Sequence, residues 1–158
     1  MKYLFALSLS ILFMVVYSQE ENQNDVVKIF NEELFQDAPY SSWYNAEYVY
    51  TPNAEIIIQL STQNLNVEIF IVLGTWCSDS QVQVPRFLKI LDLIDYDKNK
   101  MTLVGVDQNL SLPNYPIKNY NIEKVPTFII YKNKVEVGRI IETPSTSLEE
   151  DLLNILKN

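Results

Sequence analysis

The chain has 158 residues, enough for one domain with its own hydrophobic core. Its 20 acidic residues outnumber its 12 basic residues, which gives a formal charge of −8. Binding to a phosphate backbone needs clustered Lys and Arg. The charge balance therefore argues against nucleic-acid binding and against adhesion to anionic lipid, and it favours a soluble protein.

The chain contains no histidine and a single cysteine, Cys77. The lack of histidine excludes Ser-His-Asp and Cys-His catalysis, and we expect neither a metal site nor any other cofactor. The three glycines form no loop that could cradle a phosphate. A lone cysteine cannot close an internal disulfide, so Cys77 is a buried inert residue, an intermolecular partner or a reactive thiol.

Residues 1–18 have the pattern of a secretory signal peptide. Lys2 supplies the positive end, residues 4–17 are apolar apart from two serines, and cleavage is predicted after Ser18. The apolar run is shorter than the roughly 20 residues that span a membrane, although an uncleaved anchor is the alternative. We expect an exported protein, periplasmic or secreted, with no membrane contact after cleavage. The signal holds one basic and no acidic residue, so the remaining 140 residues carry a charge of −9.

Residues 19–65 are predicted to be an N-terminal extension that packs on a domain formed by residues 66–158. Gln19–Asn24 reads as a flexible start, and Asp25 is predicted to cap a helix. The apolar face of that helix would consist of Val26, Val27, Phe30 and Leu34.

Five aromatic side chains fall between residues 40 and 50, namely Tyr40, Trp43, Tyr44, Tyr48 and Tyr50. They could form a binding surface, but packing of the extension onto the domain is the favoured interpretation. Thr51 and Pro52 then resemble a cap and first residue of a helix that runs to about Gln63. Its predicted buried side chains are Ile56, Ile57 and Leu60.

The nearly continuous apolar run Val67–Leu73 predicts a central strand that is buried on both faces. A corner at residues 74–77 leads into a helix over about Asp79–Tyr96, which Pro85 should kink. Its inward side chains are predicted to be Val82, Phe87, Leu88, Leu91 and Ile94.

The second half of the chain predicts a buried strand, a loop, a hairpin and a final helix. The strand is Met101–Val106, ending at Asp107, and residues 109–121 form a loop with one helical turn. Strands 127–132 and 135–141 join through a two-residue turn. Residues 147–150 form a capping box for a helix with Leu148, Leu152, Leu153 and Leu156 on its apolar side. This order predicts an α/β fold, a mixed sheet with helices on both faces.

From about Asn66 to Lys157 the pattern resembles the thioredoxin-like family. Trp76-Cys77 follows a buried strand, Pro85 comes eight residues after the cysteine, and Val125-Pro126-Thr127 resembles the family's cis-proline segment. The resemblance implies a thioredoxin-like fold, a cis Pro126 beside the cysteine sulfur, and substrate contacts from Trp76, Val125, Pro126 and Thr127. The extension is similar to those of exported bacterial members.

Three positions depart from the family pattern. Ser80 stands where the second, resolving cysteine would be, Ile71 replaces the buried acid that serves that cysteine, and Leu103 replaces its lysine partner. Together these changes indicate a site that does not perform ordinary dithiol cycling.

We therefore expect Cys77 to act alone. The helix end should favour its thiolate, Asp79 should modulate the acidity of the thiol in the opposite direction by like-charge repulsion, and Ser80 could donate a hydrogen bond to the sulfur. Asp79 and Asp107 read as a helix-start and a strand-end residue, not as an acid/base pair.

The leading hypothesis is thiol–disulfide exchange through a mixed disulfide at Cys77, completed by an external thiol. Partners would be proteins bearing thiols or disulfides, or small thiols. The alternatives are a redox-inactive module that binds extended peptide between Trp76 and Pro126, and a Cys77-linked homodimer.

Overall fold

The computed structural model of the chain describes residues 29–157. The signal peptide, the start at residues 19–24 and the cap at Asp25 lie outside this range. None of the helices in the described part has the length and hydropathy of a membrane-spanning segment.

The fold is α/β, built on one mixed sheet as predicted. Its strands, in chain order, are Ile29–Phe30 (β1), Glu68–Leu73 (β2), Met101–Gly105 (β3), Thr127–Lys132 (β4) and Val135–Ile141 (β5). The order across the sheet is β1-β3-β2-β4-β5, in which β2 and β3 are parallel and the other neighbours are antiparallel. The central strand is thus β2, whose last five residues are all buried.

Four α-helices and three 3-10 turns complete the described fold. The helices are Ser41–Tyr48 (α1), Ala54–Ser61 (α2), Ser78–Leu93 (α3) and Leu148–Lys157 (α4), and the turns are Glu32–Gln36, Lys98–Lys100 and Ile117–Tyr120. The hairpin turn at Asn133 and Lys134 has positive φ at both residues, as the two-residue connection requires. Ser147 caps α4 by accepting a hydrogen bond from the backbone N–H of Glu150 (3.2 Å).

The prediction of helices on both faces of the sheet is wrong. In the described chain all four α-helices contribute to the core on the face of Ile71, Leu103 and Phe128. The other face, with Val72 and Val104, is covered by the crossover between β3 and β4, which holds a single 3-10 turn. Pro113 and Pro116 interrupt this crossover, and each lacks the N–H that a helix interior needs.

The predicted N-terminal helix is also wrong where the structure describes it. Residues 29–30 form β1, which pairs with β3. Asn31 then caps the following 3-10 turn by accepting the backbone N–H of Glu33 (3.2 Å). A local cap and a tertiary strand pairing thus override a helical spacing of four apolar residues.

The start of α2 is two residues later than predicted, at Ala54 and not at Pro52. Asn53, not Thr51, is the cap, and its side chain accepts hydrogen bonds from the N–H groups of Glu55 (2.9 Å) and Ile56 (3.4 Å). In α3 the inward set differs slightly, because Val84 and Ile90 are fully buried while Val82 is half-buried.

The aromatic segment between residues 40 and 50 packs inward. Tyr44 is 1% exposed and stacks on Phe35 and on Tyr48, at ring-centroid distances of 5.4 and 5.1 Å. Tyr44 also donates a hydrogen bond to Glu32 (2.9 Å), and burial raises its pKa. These rings join α1 to the main core on the helical face of the sheet.

Candidate functional site

Cys77 lies where β2 passes into α3. It is the N-cap of α3, with extended backbone angles (φ −91°, ψ 123°). Its N–H donates to the carbonyl of Gly74 (3.0 Å), and its own carbonyl accepts from Gln81 (3.0 Å). This closed corner presents the partly exposed thiol at the positive end of a 16-residue helix.

The structure brings Cys77 next to the segment that was predicted to face it. Its Sγ donates a hydrogen bond to the carbonyl oxygen of Val125 (3.3 Å). The Val125–Pro126 peptide is cis, as predicted. A second cis peptide, Ala38–Pro39, was not predicted.

Trp76 is held on the other side of the thiol. Its Nε1–H donates to the carbonyl of Val106 (2.9 Å), and its ring packs with Cys77 against the core on the helix-free face. The indole is half-buried, so it contributes both to packing and to the surface beside the sulfur.

The indole also fixes the residue type at position 74. A Cβ on Gly74 would lie 2.6 Å from Cε2 of Trp76, far inside van der Waals contact. We expect Gly74→Ala to destabilise the protein by about 1–3 kcal/mol in denaturant unfolding, because the indole must leave the Val106 carbonyl. In a Trp76→Ala background, Gly74→Ala should lower the free energy of unfolding by a clearly smaller amount. Equal costs in both backgrounds would contradict an indole clash.

Ser80 has a different role from the one expected. Its side chain is fully buried, and its Oγ accepts a hydrogen bond from the N–H of Gly74 (3.2 Å) instead of donating to the Cys77 sulfur. The hydroxyl thereby supports the corner itself. Ile71 and Leu103 are paired neighbours on β2 and β3, both buried, so the positions of the acid and the lysine in the family form an apolar contact here.

Three predicted substrate contacts are less accessible than expected. Val125, Pro126 and Thr127 are all buried. Thr127 begins β4, and its buried hydroxyl donates to the carbonyl of Lys124 (2.7 Å). Of the predicted site residues, Trp76, Cys77 and Asp79 are partly exposed.

A charged pair flanks the segment that faces Cys77. Lys124, next to Val125, forms a salt bridge with Glu142 (2.5 Å). The pKa of Lys124 is raised first by its hydrogen bond to Glu142 and then by the charge of Glu142, with smaller contributions from Asp79 and Glu123.

Two residues that support the site were not identified from sequence. Gln81 donates from Nε2 to the carbonyl of Thr75 (2.7 Å), which braces the corner. Asp107 accepts from the N–H groups of Asn109 (2.9 Å) and Ser111 (2.8 Å), and it thereby closes a tight loop. Asp is common in such turns, so the presence of Asp107 at the end of a strand could have predicted this loop.

The Asp107 loop connects back to the thiol. Leu110, inside the loop, has a positive φ of 55°, which is unusual for a residue with a branched side chain. Its side chain packs in the same cluster as Trp76 and Cys77. Val106, whose carbonyl holds Trp76, directly precedes Asp107. Within the described residues, no group of three or more Cys, Asp or Glu side chains is arranged to hold a metal ion.

No protein-family model matches the chain, and no curated protein matches it. Two solved structures are similar to it at 11% sequence identity. One is a protein of unknown function from Pseudomonas aeruginosa, with a TM-score of 0.56 over 85% of this chain and 92% of that chain. The other is an HIV epitope-scaffold, with a TM-score of 0.55 over 84% of this chain and 93% of that chain. At this identity the likeness concerns the fold alone.

Proposed function

We propose that this chain is an exported thioredoxin-like protein that performs thiol–disulfide exchange through Cys77 alone. The observation that carries the proposal is the position of Sγ at the N-terminus of α3, 3.3 Å from the carbonyl that precedes a cis proline. A hairpin and an amphipathic C-terminal helix after that proline also support the thioredoxin-like assignment.

The reaction begins when the Cys77 thiol loses its proton to solvent and, with it, the hydrogen bond that Sγ donates to the Val125 carbonyl. The thiolate attacks one sulfur of a partner disulfide, a new S–S bond joins Cys77 to that sulfur, and the other sulfur leaves as a thiolate.

The second half of the reaction needs a co-reactant. Ser80 is buried and hydrogen-bonded to Gly74, and a hydroxyl without a base is a poor nucleophile. An external thiol, from a small molecule or the partner protein, therefore attacks the mixed disulfide. Cys77 is released as a thiolate, and the external thiol becomes part of the product disulfide.

Export rests on residues 1–18, whose charged start, apolar run and small residues form a cleavage pattern. Expression of the full chain in a bacterium, followed by N-terminal sequencing of the exported product, should give a first residue of Gln19. An intact N-terminus in the membrane fraction would favour the anchor instead.

The experiment that tests the exchange reaction uses the mature chain and its Cys77→Ser variant. Each is incubated with 2-hydroxyethyl disulfide, alkylated, and analysed by intact mass under non-reducing conditions. We expect an adduct of one hydroxyethylthio group on the wild type, its removal by added cysteine, and no adduct on the variant.

The same two proteins separate the remaining possibilities. Partners captured from an extracytoplasmic extract should be lost with Cys77→Ser if capture is covalent, whereas partners retained by the variant would favour a peptide-binding module. A dimer that appears on a non-reducing gel without any added disulfide would favour the Cys77-linked homodimer.

A further inference from the structure

The helix-free face of the sheet carries a groove whose lining residues do not include Cys77. This groove of about 560 Å³ lies beside the first half of β2 and the start of β3, whereas Cys77 follows the end of β2. The groove exists because the crossover between β3 and β4 covers this face with a loop and one 3-10 turn instead of a helix. Its volume is within the range of small-molecule sites.

The wall of this groove is aromatic. We call it the aromatic groove and define it by Phe70, Tyr115, Tyr120 and Tyr131. The rings of Phe70 and Tyr120 stack at 4.3 Å with planes 16° apart, and Tyr115 lies 6.2 Å from Phe70 with planes 9° apart. Phe70 is buried behind these rings, and the flat apolar surface that is open to a flat ligand comes from the half-buried Tyr115 and Tyr120.

Two of the phenols in this wall have a raised pKa. Burial and then a hydrogen bond with Tyr120 raise the pKa of Tyr115 to about 12, and burial also raises the pKa of Tyr131. Tyr115 and Tyr131 therefore add no negative charge to the groove at neutral pH.

Two lysines lie in the lining of the groove, although the whole chain carries −8. Lys100 and Lys134 line it, and Glu68 is the one acid among its lining residues in the described chain. Lys100 Nζ donates to Asn66 (3.0 Å) and lies 4.0 Å from Asp97. Lys134 is exposed and forms no ion pair within residues 31–157. The side chains of Asn99 and Thr102 add neutral hydrogen-bonding groups.

We propose that the aromatic groove binds a small planar aromatic molecule that carries a negative charge. The parallel rings select the flat ring, and Lys134, with Lys100, selects the anionic group. This site is independent of the exchange reaction proposed for Cys77, because it uses neither the thiol nor the residues around it.

The test titrates the mature protein with four probes, followed by backbone amide NMR shifts. Adenosine 5′-monophosphate and flavin mononucleotide combine ring and charge, adenosine has the ring alone, and ribose 5-phosphate has the charge alone. We expect at least one of the two mononucleotides to shift amides of residues 68–70, 99–102 and 131–134 with a Kd below about 1 mM. Adenosine and ribose 5-phosphate should bind at least about tenfold more weakly than adenosine 5′-monophosphate or show no binding.

Lys134 and Lys132 give a matched pair of variants on the same hairpin. Both are exposed, and Lys132 does not line the groove. Lys134→Gln should weaken mononucleotide binding by roughly three- to tenfold, and Lys132→Gln should leave it unchanged. Cys77→Ser should also leave it unchanged, so failure of the thiol chemistry would not affect this result.

Three outcomes would overturn the inference. The first is that neither mononucleotide binds at about 10 mM, a concentration at which a built site would be occupied. The second is equal binding of adenosine and adenosine 5′-monophosphate. The third is equal weakening of mononucleotide binding by Lys134→Gln and Lys132→Gln. Neither lysine substitution touches the core, so a change in binding cannot be attributed to unfolding.

Discussion

Replacing Ser80 with cysteine should shorten the lifetime of a mixed disulfide at Cys77 by about 100-fold in the presence of millimolar external thiol. The new thiol would be held three residues along the same helix, at an effective concentration far above that of a free thiol. Its attack on the Cys77 sulfur would release the partner as a thiol and leave an intramolecular disulfide. The measurement is the decay of the hydroxyethylthio adduct by intact mass.

The burial of position 80 limits how much a cysteine there can accelerate the decay of the mixed disulfide. Ser80 is fully buried, and Ile71 offers no proton acceptor, so a thiol there would lose its proton slowly. The effect is therefore expected to be smaller than for two thiols beside an acid.

Ser78→Cys is the matched control, since it adds the same thiol one residue from Cys77 at an exposed position. Adjacent Cα atoms are about 3.8 Å apart, shorter than the roughly 4.4–6.8 Å of ordinary disulfides. Residues three apart in a helix are separated by about 5 Å, inside that range. Equal acceleration by the two variants would contradict this geometric argument.

The parts of the fold that were predictable have strong local signals. Strand β2 is a run of mostly apolar residues, and the turn at Asn133 and Lys134 is a two-residue connection between two segments rich in apolar and aromatic residues. In each case the local preference and the tertiary environment agree, so the pattern needs no knowledge of distant residues.

The missed parts depend on partners far along the chain. Residues 29–30 form a strand because they pair with the edge of β3, and no residue near them in the sequence indicates this pairing. The uneven distribution of helices follows from the crossover after β3, in which Pro113 and Pro116, only three residues apart, disfavour a long helix. Those prolines were visible in the sequence, so the helix-free face could have been predicted from them.

At the site, sequence placed the thiol correctly but not its support. The N-cap position of Cys77 follows from a strand that ends at Leu73, before Gly74, and a helix that starts at Ser78, two residues after Trp76. The hydrogen bonds that hold the corner come from Ser80 and Gln81, and their direction depends on rotamers that no spacing specifies.

A second large effect is expected at Glu149, which joins the N-terminal part of the chain to α4. Its carboxylate is 2% exposed and accepts hydrogen bonds from the Tyr50 hydroxyl (3.1 Å) and the Asn53 N–H (3.0 Å). Burial, followed by the charge of Glu149 and the hydrogen bond to it, raises the pKa of Tyr50, so the phenol remains a donor. This carboxylate thus fixes the residues that lead into α2.

Glu149→Ala should lower the free energy of unfolding by about 3 kcal/mol, because it removes the charged acceptor of two part-buried hydrogen bonds, from Tyr50 and Asn53, and empties a buried side-chain position. In thermal unfolding this corresponds to a loss of about 10 °C in Tm. Glu149→Gln keeps one acceptor oxygen and should cost less than the alanine change.

Glu150→Ala separates this link from the general effect of a negative charge at the start of α4. Both glutamates lie in the first turn and interact similarly with the helix dipole, but the hydrogen bond of Glu150 uses its backbone N–H, which alanine retains. Its substitution should cost no more than about 0.5 kcal/mol. If both alanine variants lose the same stability, the carboxylate of Glu149 acts through the helix dipole and not through Tyr50 and Asn53. If Glu149→Ala costs several times more, residues 50–53 are held in place by one buried side chain of the C-terminal helix.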